Sequence, residues 1–189
     1  MRKVLLLSLL CCAQAAFALE IAGVKVEERV PLAGADLQLN GAGIRTRLIF
    51  KIYVGALYLS ARKSTAAEVL ALDGPKRVSM ALLRDLSSRQ LIDALELGIR
   101  DNHSEAELGG LQARIDELAA VMKEIGSAKE GAVITLDFLP ASGTIVTVNG
   151  APHGKPIQGR DFYGALLKIW LGEKPVDADL KQAMLGSGG

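Results

Sequence analysis

Between Ile44 and Val54 the chain alternates two kinds of side chain, and this alternation limits its possible folds more than any other stretch. The even positions are Ile44, Thr46, Leu48, Phe50, Ile52 and Val54; the odd positions are Arg45, Arg47, Ile49, Lys51 and Tyr53. Successive side chains of a strand point to opposite faces. The pattern therefore predicts a strand with one apolar, core-directed face and one basic face that ends in a phenol hydroxyl. Beyond Gly55, Ala56, Leu57, Tyr58 and Leu59 are apolar on both faces, which predicts a break or bulge near Val54-Gly55. Two readings of the cations stay open. They line a solvated face, or they wait for an anion.

The other elements follow from periodicity and punctuation. Residues 21–30 alternate around Ile21, Val24 and Val26 and predict a first strand closed by Pro31, with a short strand at Leu37–Leu39. Three helix starts carry the spacing of a capping box: Thr65 with Glu68, Ser87 with Gln90, and Ser104 with Glu107. Leu91, Ala94, Leu95 and Ile99 form the apolar stripe of the second of these helices. Leu111, Ile115, Leu118, Val121 and Met122 form that of the third, which Gly126 stops. Strands are predicted at 76–84, 131–139 and 143–150, and Asn149-Gly150 is the strongest hairpin signal in the chain, calling for a returning strand near 152–157. A helix at 161–172 presents Phe162, Leu166, Ile169 and Trp170 to the core, and a last short helix takes Pro175 as its first residue. Strands and helices come in runs, which predicts an α+β fold: a largely antiparallel sheet with helices packed on one face.

The N-terminal segment sets the expected compartment. Arg2 and Lys3 precede an apolar run from Val4 to Cys12, and small residues lead to Ala16-Phe17-Ala18. That is the layout of a cleavable secretory signal over residues 1–18, which leaves a single domain at 19–189 in the periplasm or outside the cell. The run is too short to span a bilayer, so no stable membrane anchor is expected after cleavage. Both cysteines, Cys11 and Cys12, leave with it, and no disulfide or thiol chemistry is expected of the mature chain. The mature chain keeps 20 basic and 21 acidic side chains, a balance that offers no general attraction for nucleic acid. His103 and His153 are far apart and lack neighbours at ligand spacing, so no metal or other cofactor is expected.

No phosphate loop and no G-x-S-x-G is present, and a nucleophilic triad has no cysteine and no paired histidines to draw on. What remains is the basic strand face with Tyr53. Arginine offers a rigid fork of donors suited to a carboxylate, and a tyrosine hydroxyl can donate to the same anion. The cations of that face, Arg45, Arg47 and Lys51, are with Tyr53 the candidate ligand-binding residues. In an unbroken strand, however, the eight-residue spacing of Arg45 and Tyr53 spans about 26 Å. Convergence needs a turn between them, and "RTRLIFKIYV" has no Gly or Pro to mark one.

Two segments, "LNGAGIRTRLIFKIYVGALYLS" and "FYGALLKIWLGEKPVDADLKQAML", together resemble the chalcone isomerase superfamily, most of all its bacterial secreted members. The resemblance runs from about residue 21 to the end and implies that family's open-faced β-sandwich, with a ligand cleft between sheet and helices. It implies one of two activities. The isomerases close a chalcone to a flavanone without a cofactor; their arginine matches Arg45, but their threonine falls near Tyr53, their tyrosine and asparagine at Leu91 and Gly98, and their late hydroxyl near Tyr163. The fatty-acid-binding members use an arginine and a tyrosine on the ligand carboxylate, and Arg45 and Tyr53 match that pair. The favoured expectation is a non-catalytic binding protein for a small amphipathic anion, a carboxylate or a phenolic compound. The alternatives are an isomerase with Arg45 as its catalytic cation, and a protein that binds a partner with no small ligand.

Overall fold

The computed structural model describes residues 18–186. The chain opens with a hairpin of β1 (Ala18–Ile21) and β2 (Val24–Glu27). There follow β3 (Arg29–Leu32), β4 (Ala35–Arg47) and β5 (Phe50–Leu59), then α1 (Ala66–Ala71) and β6 (Lys76–Leu82). A short β7 (Leu86–Ser87) leads into α2 (Ser88–Asp101) and α3 (Glu105–Ile125), and β8 (Ser127–Ala128) pairs back onto β7. The chain finishes with β9 (Val133–Leu139), β10 (Gly143–Val148), β11 (Ala151–Ile157), α4 (Arg160–Leu171) and α5 (Ala178–Met184). Seven strands make one sheet in the order β11-β10-β9-β6-β5-β4-β3, antiparallel throughout.

The main core lies between this sheet and the helices. Val78, Met80 and Leu82 of β6 meet Leu95 and Ile99 of α2, Ile115 and Leu118 of α3, and Phe162, Leu166 and Trp170 of α4. A second, smaller cluster lies on the opposite face, where Val26 of the β1–β2 hairpin covers Leu37, Leu39, Val54, Ala56 and Tyr58. All three capping boxes form, and Asn149 and Gly150 both take the positive φ of their two-residue loop. The α+β expectation holds, with the helices on one face.

Three local expectations do not. Residues 21–30 are not one strand: Ala22-Gly23 turns the chain, and the segment is divided among three short strands. Pro175 does not start the last helix. Asp177 caps it, its Oδ1 accepting from the Leu180 N–H at 3.0 Å. Most consequentially, Ile44–Val54 is not a continuous strand. Leu48 and Ile49 form a two-residue loop between β4 and β5, and Arg47 stands opposite Phe50. Leu48 takes φ 56°, a left-handed conformation that costs an ordinary residue about 1–2 kcal/mol. The irregularity expected near Val54-Gly55 lies two residues earlier, as a bulge. The extra residue on β5 is Ile52, between the Arg45–Tyr53 and Thr46–Lys51 pairs, and that on β4 is Asn40.

The glycines of "NGAG" serve helix packing. A Cβ on Gly41 would lie 2.0 Å from the Ala183 carbonyl oxygen, and one on Gly43 would lie 2.6 Å from the Ala183 Cβ. Their absence lets α5 lie directly on β4. Buried Asn40 fastens its end, donating to the Met184 carbonyl at 2.7 Å and the Lys63 carbonyl at 2.9 Å.

Candidate functional site

The β4–β5 hairpin does what an unbroken strand cannot. Arg45 and Tyr53 become directly opposed residues on paired strands. Opposed residues share a face, and here it is the helix-covered face, not a solvated one. The even-numbered Ile44 and Val54 pack on the opposite side, against the smaller cluster. Both faces of the sheet are covered at this point, so the simple division into core face and solvent face does not apply. Arg47 and Lys51 are exposed, as the solvated-face reading expects; Arg45 is half-buried.

The Arg45 guanidinium lies over the Tyr53 ring, 5.5 Å from its centroid. Tyr53 is only 3% exposed, and its hydroxyl accepts a 2.8 Å hydrogen bond from Trp170 Nε1. A hydroxyl carries one proton and two lone pairs. With the indole on a lone pair, the Tyr53 proton remains available, and no acceptor among the described residues takes it. Burial pushes this phenol above its ordinary value, an effect that the nearby Arg45 charge and the Trp170 hydrogen bond partly offset. Tyr53 therefore keeps its proton at neutral pH and acts as a donor. Arg45 Nε is buried and also has no acceptor among the described residues. The nearest capping carboxylate, Asp177, is engaged elsewhere: its Oδ2 accepts from the Thr46 N–H at 2.8 Å, pinning α5 beside Arg45.

These donors line a cavity of about 580 Å³. Ile52 and Met80 give its sheet side, Leu91 and Leu95 its α2 side, and Met122, Ile169 and Trp170 reach it from α3 and α4. The exposed members of its lining, among them Arg47, Leu48, Phe50 and Leu97, mark its mouth. A mostly apolar cavity with a few convergent polar groups has the general form of a small-molecule site. Arg45 and Tyr53 were legible in the sequence as candidates. Trp170 was legible only as a core residue, although a buried indole N–H needs a partner. Asp177 was missed, and its signal was an Asp directly before the apolar-periodic residues of a short helix.

A family model described as chalcone isomerase-like matches residues 18–186. The chain belongs to the chalcone isomerase-like family. Among solved structures, this family member resembles a fatty-acid binding protein of Arabidopsis thaliana with a TM-score of 0.64. The match covers 88% of this chain and 93% of that one at 14% identity, so the likeness is one of fold. No curated protein matches the sequence.

In this chalcone isomerase-like protein, the positions matched to the isomerases' polar residues are placed as follows. Leu91 lines the cavity and offers no hydrogen bond. Gly98 is buried against α4, where a Cβ would lie 2.8 Å from Ile169 Cγ2. The Tyr163 hydroxyl is buried and donates to the Leu136 carbonyl at 3.0 Å.

Proposed function

We propose that this protein binds a small amphipathic anion, a fatty acid being the type case, and does not transform it. One observation carries the reading: Arg45 and Tyr53, both with free donors, converge in an otherwise apolar cavity. A carboxylate there accepts from the guanidinium and from the phenol at once, and these charge-assisted bonds are the strong ones. The alkyl tail lies among Ile52, Met80, Leu95 and Ile169. The structural neighbour is described as a fatty-acid binding protein, which is consistent with this assignment. Chalcone cyclisation would need hydrogen-bond donors around the developing enolate. Leu91 and Gly98 offer none from their side chains, and Tyr163 is engaged with a backbone carbonyl. A role in partner binding alone would want Arg45 on an open surface, whereas Arg45 is half-buried beside the cavity.

We further propose that residues 1–18 are an export signal and that the protein works in the periplasm or outside the cell. Intact-mass measurement of the exported protein should give a chain beginning at Leu19. Ligand binding is tested by titrating a long-chain fatty acid and its methyl ester. The acid should bind far more tightly, since the ester removes the charge and leaves the tail. Equal affinities, or turnover of a chalcone well above its spontaneous rate, would overturn the proposal.

A further inference from the structure

The tip of the β4–β5 hairpin has an apolar surface that the cavity alone does not explain. Leu48 is 89% exposed, Ile49 86% and Phe50 50%. Three large apolar side chains in sequence, held out at a two-residue loop, form a wedge and not a groove. Leu48 adopts a positive φ to make that loop, a conformation disfavoured for a β-branched or bulky residue. Cations flank the wedge. Arg47 and Lys51 adjoin it in sequence and are exposed, and the Arg84 guanidinium lies 4.7 Å from the Phe50 ring centroid. None of the three makes a salt bridge to another described residue. The acidic groups nearby are engaged: Asp177 by backbone N–H groups, and Asp93 by Arg89. The wedge is also continuous with the cavity, since Arg47, Leu48, Phe50 and Arg84 line both.

We propose that this tip docks on an anionic phospholipid surface, with Leu48, Ile49 and Phe50 entering the acyl boundary and Arg47, Lys51 and Arg84 meeting the headgroups. Apolar insertion beside cations is the chemistry of peripheral membrane binding. A protein partner fits the shape less well, because a protruding wedge offers it little area. Docking would place the cavity mouth against the bilayer, where an amphipathic acid partitions, so that the ligand exchanges without crossing water. Only that exchange rests on the binding reading above. Docking itself is read without any fatty acid, so the two can fail separately. It is peripheral and reversible: no helix of the described residues is long and apolar enough to cross a membrane.

The test is flotation of the chain from residue 18 onward, which contains every element described, with phosphatidylcholine vesicles with and without phosphatidylglycerol. The protein should float with the anionic vesicles and dissociate as salt is raised. The Leu48→Ser/Ile49→Ser variant should bind at least about tenfold more weakly at every salt concentration. The Arg47→Ser/Lys51→Ser variant should lose about tenfold in low salt and much of its salt dependence. Both substitutions are at exposed positions, and an unchanged melting temperature confirms that the variants are folded. Absence of flotation with either vesicle, or equal flotation of the Leu48→Ser/Ile49→Ser variant, overturns the proposal. So does a wild-type dimer that becomes monomeric in that variant without vesicle binding, which would make the tip an interface between copies.

Discussion

Replacing Arg45 with methionine keeps an apolar stem of similar reach and removes the guanidinium. If the guanidinium holds the ligand's carboxylate, the loss can be sized. A hydrogen bond to a charged group contributes about 1.5–3 kcal/mol net. Taken as a bidentate pair with the carboxylate, the guanidinium gives up two such bonds, and the half-burial of Arg45 lets water replace part of them. A net cost of about 2–4 kcal/mol follows, or about a 30- to 1,000-fold weaker Kd for the acid. The methyl ester, which makes neither charge-assisted bond, should lose little. Trp170 supplies the assay. It is the only tryptophan in the chain and its Nε1 is bonded to the Tyr53 hydroxyl, so a carboxylate arriving at Tyr53 should change its emission. The folded state should not suffer, because Arg45 makes no ion pair to another described residue and its Nε has no acceptor there. The melting temperature of Arg45→Met should stay level or rise. Unchanged acid affinity refutes the anchor role; an equal loss for acid and ester shows that the cavity was damaged instead.

Tyr53→Phe removes the second donor and leaves Trp170 Nε1 buried without its partner. It should weaken acid binding about tenfold and lower stability by about 1–3 kcal/mol, read by fluorescence titration and urea unfolding. Gly41→Ala puts a Cβ 2.0 Å from the Ala183 carbonyl oxygen, so α5 must move; a loss of about 1–3 kcal/mol or more is expected in thermal unfolding. Lys76 is 2% exposed, and burial chiefly pulls its ammonium down to about 8. Below that pH the group is charged in both folded and unfolded chains. Between about 8 and the unfolded value near 10.4, the unfolded chain binds the extra proton, so stability should rise with pH. Above about 10 the buried phenols Tyr53, Tyr58 and Tyr163, all shifted upward, reverse the trend as the unfolded chain loses their protons first. Urea titrations across this range should show the rise in wild type and not in Lys76→Met.

The sequence carried its helix starts openly, because a capping box is a local device. Thr65 with Glu68, Ser87 with Gln90 and Ser104 with Glu107 need only three-residue spacing and nothing from the rest of the fold. The apolar face of α3 was equally plain: all five residues read from its periodicity are buried. The Leu48–Ile49 loop was hidden for the opposite reason. A tight hairpin normally calls for Gly, Asn or Asp at positive φ, and here leucine takes that position. Apart from Ile49, which makes three apolar residues in a row at the loop, the polar and apolar positions keep the alternation of a single strand across two. Covering on both faces then removed the contrast between core and solvent sides. Trp170 and Asp177 act on the Arg45–Tyr53 pair through contacts that span more than a hundred residues, and no local pattern encodes those.

The pairing of Arg45 with Tyr53 across a two-residue loop has a kinetic consequence. Closing so short a loop costs little chain entropy, and hairpins form within about 1–10 μs. The cavity walls arrive from far away; the Trp170–Tyr53 bond alone joins residues 117 positions apart. Contacts of that separation form late. The pair proposed to recognise the anion can thus be assembled by one local segment before the compartment for its tail exists. A nascent or partly unfolded chain would hold the proposed head-group site without the room for a ligand, and capture should appear only when α4 closes over the sheet.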